Sequence, residues 1–341
     1  MTVKELRSTL HRVPLPRPWG PDVPAVHLIV TELTLDDGRT GTGFSWTPSI
    51  GAHAVHALLE HDLRDAVPGL PAHPEAVWDR LWEHLHEAGG GGLTTMALAA
   101  VDLALWDLRP DALTPRRPGV PLYGSGVNFH YSLAELVAQA ERWRAAGVPG
   151  VKIKVGRPDV GADVERIAAV REVIGPDLPL MLDANQRWDL PRARRALTAF
   201  ARFDPYWIEE PLRAGDLAAH VRLRASTAIP FALGENLRTV HEFRDFLVAG
   251  AVDVVQPNVV RIGGITPLRR VADLAAAFSV PTAPHLLPDL SAPLARTLPL
   301  PAMAEDVEDA SFAALGLLAE GATGGLGLRF DPAALAETRI A

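Results

Sequence analysis

Seven polar residues recur through the second half of the chain, each at the end of a short apolar run. Lys154, Asp183, Glu209, Glu235, Asn258, His285 and Glu305 are separated by 29, 26, 26, 23, 27 and 20 residues. Each step matches one strand-helix unit, so a closed parallel sheet would bring all seven to the same end, where barrels of that kind carry their chemistry. Buried apolar strands rarely end in charge without a use for it. Three of the seven, Asp183, Glu209 and Glu235, come from successive strands. Converging carboxylates repel one another unless they bind a cation or share protons. Hard oxygen ligands without a nearby thiolate suit Mg²⁺; without a cation, the three would be rim carboxylates paired with arginines. Lys152 and Lys154 lie two apart in Val151-Lys152-Ile153-Lys154-Val155. On a strand both amines share the face opposite the three apolar residues, which must pack on helices, so both point into the barrel. Two such ammonium groups beside a divalent cation lower each other's pKa, so that one can be a neutral base while the other binds an anionic oxygen. An imine-forming lysine is a rival reading that leaves the carboxylates unexplained.

The elements that must position these groups follow from pattern. Strands are predicted at Val127–Tyr131, Gly150–Val155, Leu178–Asp183, Tyr206–Glu209, Phe231–Glu235, Val252–Pro257, Val280–His285 and Pro301–Glu305, with helices between them at Asp163–Val173, Pro191–Phe200 and Pro267–Phe278. Eight such units predict an α/β fold, a (β/α)8 barrel of the TIM type. Before it, Val26–Leu35 reads as a strand into an Asp36-Asp37-Gly38 turn, and helical spacing runs over 52–63, 75–87 and 94–108. Pro110, Pro115, Pro118 and Pro121 break regular structure. They mark the boundary between a first, α+β domain, residues 1–120, and the barrel, 121–314. The tail from about 315 to 341, with Gly324-Gly325-Leu326-Gly327-Leu328-Arg329-Phe330, reads as a turn and strand returning to the first domain. The proline-rich segment Val13–Pro21 is a connection or a flap over the site. Arg17, Trp19, Trp46 and His53 are candidate substrate-lining residues from the first domain, with Arg17 suited to a distal carboxylate or hydroxyl. Gly89–Gly92 is no phosphate loop, since no Gly-Lys-Ser/Thr follows.

Taken in order, Val-Lys152-Ile-Lys154, Leu-Asp183-Ala-Asn185-Gln186, Trp207-Ile-Glu209-Glu210-Pro211, Gly234-Glu235-Asn236, Gln256-Pro257-Asn258, Arg261-Ile-Gly263-Gly264-Ile265-Thr266 and Pro284-His285 resemble the enolase superfamily, in its mandelate racemase-like subgroup (the mandelate racemase/muconate lactonizing enzyme family). The resemblance extends to the helix around Asp102, Trp106 and Asp107 and to the Gly-Leu-Gly-Leu tail. It implies a modified barrel under a cap formed by both termini, and Mg²⁺ on Asp183, Glu209 and Glu235. It also implies abstraction of the proton next to a carboxylate, with the enediolate stabilised by the metal and by hydrogen-bond donors. By analogy Lys154 is the base, Lys152 an electrophilic partner of the substrate carboxylate, and Glu305 a protonated donor to its other oxygen. Asn185 and Gln186 are implied substrate contacts. The departure is Asn258, where related enzymes often carry an aspartate paired with the following histidine as a second base. With an amide partner His285 is a weaker base, yet it can act as the acid of a dehydratase if the Asn258 carbonyl accepts from one ring N–H.

Dehydration of a sugar acid to a 2-keto-3-deoxy acid is therefore the expected reaction. A racemase or epimerase of an α-substituted carboxylate is the alternative, and a non-catalytic metal-dependent carboxylate-binding protein a third reading. Composition narrows the field. A formal charge of −8, from 33 basic and 41 acidic residues among 341, offers no basic field for nucleic acid. No apolar run reaches the roughly 18 residues of a membrane span. The start lacks the apolar core of a signal peptide, and with no cysteine no disulfide or thiolate chemistry is available. A cytoplasmic enzyme acting on a small carboxylate, as a homo-oligomer like its relatives, is the expectation.

Overall fold

In the computed structural model, residues 1–321 and 325–341 are described; Gly324, first residue of the predicted tail turn, lies outside them. The chain begins with β1 (Val3–Pro14), β2 (Ala25–Leu35) and β3 (Thr40–Thr47), an antiparallel three-stranded sheet in that order. Asp36-Asp37-Gly38 closes the β2–β3 hairpin, where Gly38 takes a φ of 86° that side chains resist. Helices α1 (Ala52–Ala57), continued by a π-helical turn over Leu58–Leu63, α2 (Pro74–His84) and α3 (Leu93–Asp107) follow. Helix α3 is buried without a break from Thr94 to Trp106, because it lies between the cap sheet and the barrel. Its alanines let it approach β3 closely. A side chain at Gly41 or Gly43 would run into the carbonyl oxygen of Ala104 or Ala100.

The barrel strands are β4 (Leu122–Ser125), β5 (Val151–Lys154), β6 (Leu180–Asp183), β7 (Trp207–Glu209), β8 (Phe231–Leu233), β9 (Val254–Val255) and β10 (Ala304–Val307). They form a curled parallel sheet in the order β10-β4-β5-β6-β7-β8-β9. Single-residue parallel bridges from Thr282 to Val255 and to Pro301 link its two ends. The predicted strand at Val280–His285 is thus one bridge at Thr282, and that at Pro301–Glu305 starts later. The first barrel strand lies at Leu122–Ser125 rather than Val127–Tyr131; Asn128 and Tyr131 instead supply backbone acceptors to Arg166 at 2.8 Å. Helices α4 (Leu133–Ala146), α5 (Val160–Ile174), α6 (Leu190–Phe200), α7 (Leu217–Arg224), α8 (Val240–Val248), α9 (Ile265–Ala277) and α10 (Pro288–Ala295) surround the sheet.

The alternation expected of β5 is present. Val151, Ile153 and Val155 pack outward with Leu136, Trp143, Ile167 and Val170, while Tyr123, Met181 and Trp207 fill the interior below the lysines. The tail returns to the cap as helix α11 (Pro332–Thr338) rather than as a strand. Phe330 meets Phe44 at 6.0 Å, and the backbone of Leu10 bonds to Ile340 and Ala341. No helix among the described residues is long and apolar enough to cross a membrane.

Candidate active site

Parallel register sets the site. Lys154 pairs with Asp183 on β6, and Asp183 with Glu209 on β7, so three ionisable side chains stand side by side at strand spacing. Most of this is buried: Lys152, Asp183, Glu209 and Glu305 are each no more than 1% exposed, while Lys154 is half-buried. Lys152 Nζ donates to both Glu209 oxygens at 2.7 and 2.9 Å and reaches Glu305 Oε1 at 2.7 Å. Lys154 Nζ donates to Asp183 Oδ2. Gln256 Nε2 adds a hydrogen bond to Glu209 at 2.9 Å. Across the mouth, His285 Nε2 lies 2.5 Å from Glu235 Oε2 and 3.7 Å from Glu305 Oε2, and Arg261 is 3.7 Å from Glu235.

Two sequence-level expectations about charge change here. Burial is the largest single influence and lowers the affinity of Lys154 for its proton, but Asp183 first, together with Glu209 and Glu235, turns the net direction up. Repulsion between the two lysines is a smaller effect, so Lys154 is an ammonium while Asp183 holds it. Glu305 is likewise not the protonated donor expected. Burial pushes it up, yet its cationic neighbours, Lys152 foremost, carry it down to about 2, and it accepts from the Leu286 N–H at 2.9 Å.

Glu210 was visible only as the neighbour of Glu209, and strand alternation would turn it away from the mouth. A left-handed backbone at Glu210 (φ 40°) brings it back, and both its oxygens accept from Asn236 Nδ2 at 2.8 and 2.9 Å. Arg261 donates to Asn236 Oδ1 at 2.8 Å. Glu210, Asn236, Gln256 and Arg261 stand within the motifs, but only the folded chain gives them these partners. Among the described residues, eight non-glycine residues have positive φ, and five of them (Asn185, Gln186, Glu210, Leu286 and Leu287) lie within three residues after Asp183, Glu209 or His285. Strain of this kind collects where a site over-determines its backbone.

The residues fit a divalent cation. Five carboxylates (Asp183, Glu209, Glu210, Glu235 and Glu305) converge on Lys152, Lys154 and Arg261, with Arg238 near Glu235 and Glu210 and Arg187 near Asp183 at the margin. Burial first and Asp183 second push Glu209 up to about 7, and burial with Glu235 pushes Glu210 well above its ordinary range. Both directions report uncompensated negative charge. Glu209, Glu235 and His285 already place one ligand atom each within 4.8 Å of one another. Asp183, expected in that trio, is turned to Lys154, with Oδ1 taking the Asn185 N–H at 2.8 Å.

Asn258 also differs from expectation. Its carbonyl does not accept from His285; Oδ1 is taken by the Val260 and Arg261 N–H groups at 3.1 and 3.0 Å, and Nδ2 faces His285 Nδ1 at 3.0 Å. Among the remaining candidates, the Asn185 side chain is half-buried beside Asp183, and Gln186 Oε1 accepts the Ala214 N–H at 2.8 Å. Trp19 packs edge-on against Trp46 at 6.1 Å, and His53 lies 6.4 Å from the His27 ring. Arg17 is exposed, bonded to Glu135 at 2.8 Å and stacked on Tyr131 at 3.6 Å. None of these four cap residues makes a hydrogen bond to the strand-end cluster among the described residues.

Known proteins share this fold. Residues 18–122 match the mandelate racemase/muconate lactonizing enzyme N-terminal domain, and residues 135–323 match the enolase C-terminal domain-like family. The chain is 38% identical over 302 residues to a 3,6-anhydro-alpha-L-galactonate cycloisomerase of Streptomyces coelicolor, covering 85% of this chain and 84% of that one. A solved racemase from Streptomyces coelicolor A3(2) with bound magnesium superposes with a TM-score of 0.92 at 34% identity, over 99% of this chain and 100% of the other. L-Talarate dehydratase from Polaromonas sp. JS666, complexed with Mg and L-glucarate, superposes with a TM-score of 0.88 at 31% identity, over 99% and 98% of the two chains.

Proposed function

Because the chain belongs to the mandelate racemase/muconate lactonizing enzyme family of the enolase superfamily, we propose that it is a Mg²⁺-dependent enzyme that removes the proton α to a carboxylate and dehydrates a sugar acid to a 2-keto-3-deoxy acid. The observation that carries this reading is the in-register row Lys154, Asp183 and Glu209 facing Glu235 across one buried mouth. Asp183, Glu209 and Glu235 would hold the metal. Bound there, Mg²⁺ supplies the positive charge against which negative charge builds on the substrate carboxylate.

The chain's own residues do the rest. Once Asp183 no longer holds it, Lys154 can give up its proton and take the α-hydrogen as a proton at Nζ, the carbon–hydrogen electron pair passing into the enediolate. Lys152, fixed by Glu209 and Glu305, is a buried cation for a substrate carboxylate oxygen. The β-hydroxyl then leaves as water, taking the proton that Lys154 acquired, while His285 Nε2 donates a hydrogen bond at the opposite side of the mouth. The resulting enol ketonises to the 2-keto-3-deoxy acid. Asn185 and Gln186 stand where substrate hydroxyls would pass, and the cap supplies Trp19, Trp46 and His53 as candidate walls. A small carboxylate as substrate and a homo-oligomer follow from the family resemblance, and a cytoplasmic location without nucleic-acid partners is in keeping with the absence of cysteine and the acidic charge balance.

Ring opening of an anhydro or lactone sugar acid is the second reading, favoured by the 38% identical cycloisomerase; it begins at the same step. The test is a panel of aldonic, aldaric and anhydro-aldonic acids incubated with Mg²⁺ and assayed for 2-keto product. Expected is one acid giving a 2-keto-3-deoxy product, with loss of turnover in EDTA. Turnover confined to an anhydro acid moves the assignment to the second reading. Inversion at the α-carbon without any keto product defeats both.

A further inference from the structure

The Asn258 side chain is fully buried and its amide can face only one way. Its oxygen accepts two backbone N–H groups, those of Val260 and Arg261. A backbone N–H can only donate, so the amide nitrogen could not take that place without losing two buried hydrogen bonds and setting donor against donor. Nδ2, which can only donate, is therefore the atom 3.0 Å from His285 Nδ1. A ring nitrogen facing a donor must accept, so Nδ1 carries no proton and the proton of the neutral ring is on Nε2. The groups on that side agree: Glu235 and Glu305, the two carboxylates nearest Nε2, are acceptors.

We infer that Asn258 is a positioning residue that fixes His285 as a hydrogen-bond donor at Nε2, so that it cannot serve as a second base, and that this confines proton removal to the Lys154 face. To act as a base, Nε2 needs its lone pair, which puts the ring proton on Nδ1, against Nδ2 of Asn258. An aspartate of the same shape would do the reverse. One oxygen would still satisfy Val260 and Arg261, while the other accepted from Nδ1–H and freed Nε2. The choice between one-face elimination and inversion at the α-carbon is then set by one atom, the Nδ2 of residue 258. The tautomer follows from the hydrogen bonds alone; its consequence for stereochemistry rests on the proposed base role of Lys154.

Two measurements on the full chain separate those layers. Long-range proton–nitrogen correlation spectra of the ¹⁵N-histidine-labelled, Mg²⁺-loaded protein, with His285 assigned by its loss in His285→Gln, should show a protonated Nε2 and a bare Nδ1. In Asn258→Asp the proton should appear on Nδ1. A protonated Nδ1 in the wild type overturns the inference without reference to activity. In D₂O, with any sugar acid that the enzyme turns over, the wild type should give no α-epimer. Asn258→Asp should raise epimer formation with solvent deuterium at least tenfold. Epimerisation by the wild type, or none by a folded, Mg²⁺-binding Asn258→Asp with Nδ1 protonated, overturns the stereochemical part. A wild type with the expected tautomer that turns over no sugar acid upholds the tautomer and defeats the proposed function instead.

Discussion

Strands β5 to β7 and the segment from β9 to β10 meet at one mouth but hold their side chains by different means. On the first side, ladder register does the positioning: Lys154, Asp183 and Glu209 are consecutive rungs, and opposite charges are paired within it. On the second side β9 has two residues and its neighbour is a single bridge at Thr282. There, loop backbone takes over, through the Val260 and Arg261 N–H groups on Asn258 and the Leu286 N–H on Glu305, with Leu286 and Leu287 both left-handed. The contrast teaches that regular strands place charge reliably, whereas control over which atom carries a proton is built from irregular backbone with amides and N–H groups.

If the register side carries the proton transfer, breaking it has the largest effects. Lys154→Met should lower kcat by on the order of 10²–10⁴, with Mg²⁺ affinity by calorimetry little changed; a loss below tenfold would move the base elsewhere. Lys152→Met acts on stability. It leaves Glu209 and Glu305 buried without their cation, which costs about 3–5 kcal/mol for a broken buried pair. Urea unfolding should show that loss without metal and a smaller one with Mg²⁺, since the cation would replace the missing charge.

The same contrast decides what could be read beforehand. The spacing of Lys154, Asp183 and Glu209, and the alternation around Lys152, were legible because period and register follow directly from apolar pattern. Glu210 was not, because its inward direction depends on a positive φ that breaks the alternation. The Asn258 amide orientation was not, since it depends on N–H groups from a loop. The charge environments of Lys154 and Glu305 were not legible, because they depend on which opposite charges the fold places beside them, Asp183 at Lys154 and Lys152 at Glu305. The first barrel strand shifted to Leu122–Ser125 because Val127–Tyr131 feeds the α4 entry loop.

Asp102 tests how firmly the irregular side is anchored to the cap. From α3 it accepts the Thr266 N–H at 3.0 Å and so caps α9, whose own N-terminal residue Gly264 has no side chain to do so. Burial pushes its carboxyl up to about 7, against the opposing pull of the Thr266 and Ile265 hydrogen bonds. The folded chain thus keeps a proton that the unfolded chain releases near its ordinary value of 3.8. The Asp102 contribution to stability is therefore largest below that value, falls as pH rises towards 7, and then levels off. Asp102→Asn should flatten the dependence. Between pH 4 and 8 the wild type should lose up to about 4 kcal/mol relative to the variant, from roughly 1.4 kcal/mol per unit. Parallel pH profiles would assign the slope elsewhere.

The smallest effect belongs to the Val13–Pro21 segment, expected to be a connection or a flap. Arg17 was expected to reach substrate, but its guanidinium is held by Glu135 and the Tyr131 ring, tying the Val13–Pro21 segment to the entry of α4. Both partners of the ion pair are nearly half exposed (46% and 47%), so Arg17→Ala should change stability by less than about 1 kcal/mol. Its effect should fall on KM, raised a few-fold with kcat within about twofold, because binding must then order the segment. Glu135→Gln separates a latch from a ligand. Glutamine still completes the capping box with Ser132 but carries no charge for Arg17, so a latch predicts that it reproduces the KM rise. If only Arg17→Ala raises KM, the guanidinium leaves Glu135 in the complex and binds substrate directly.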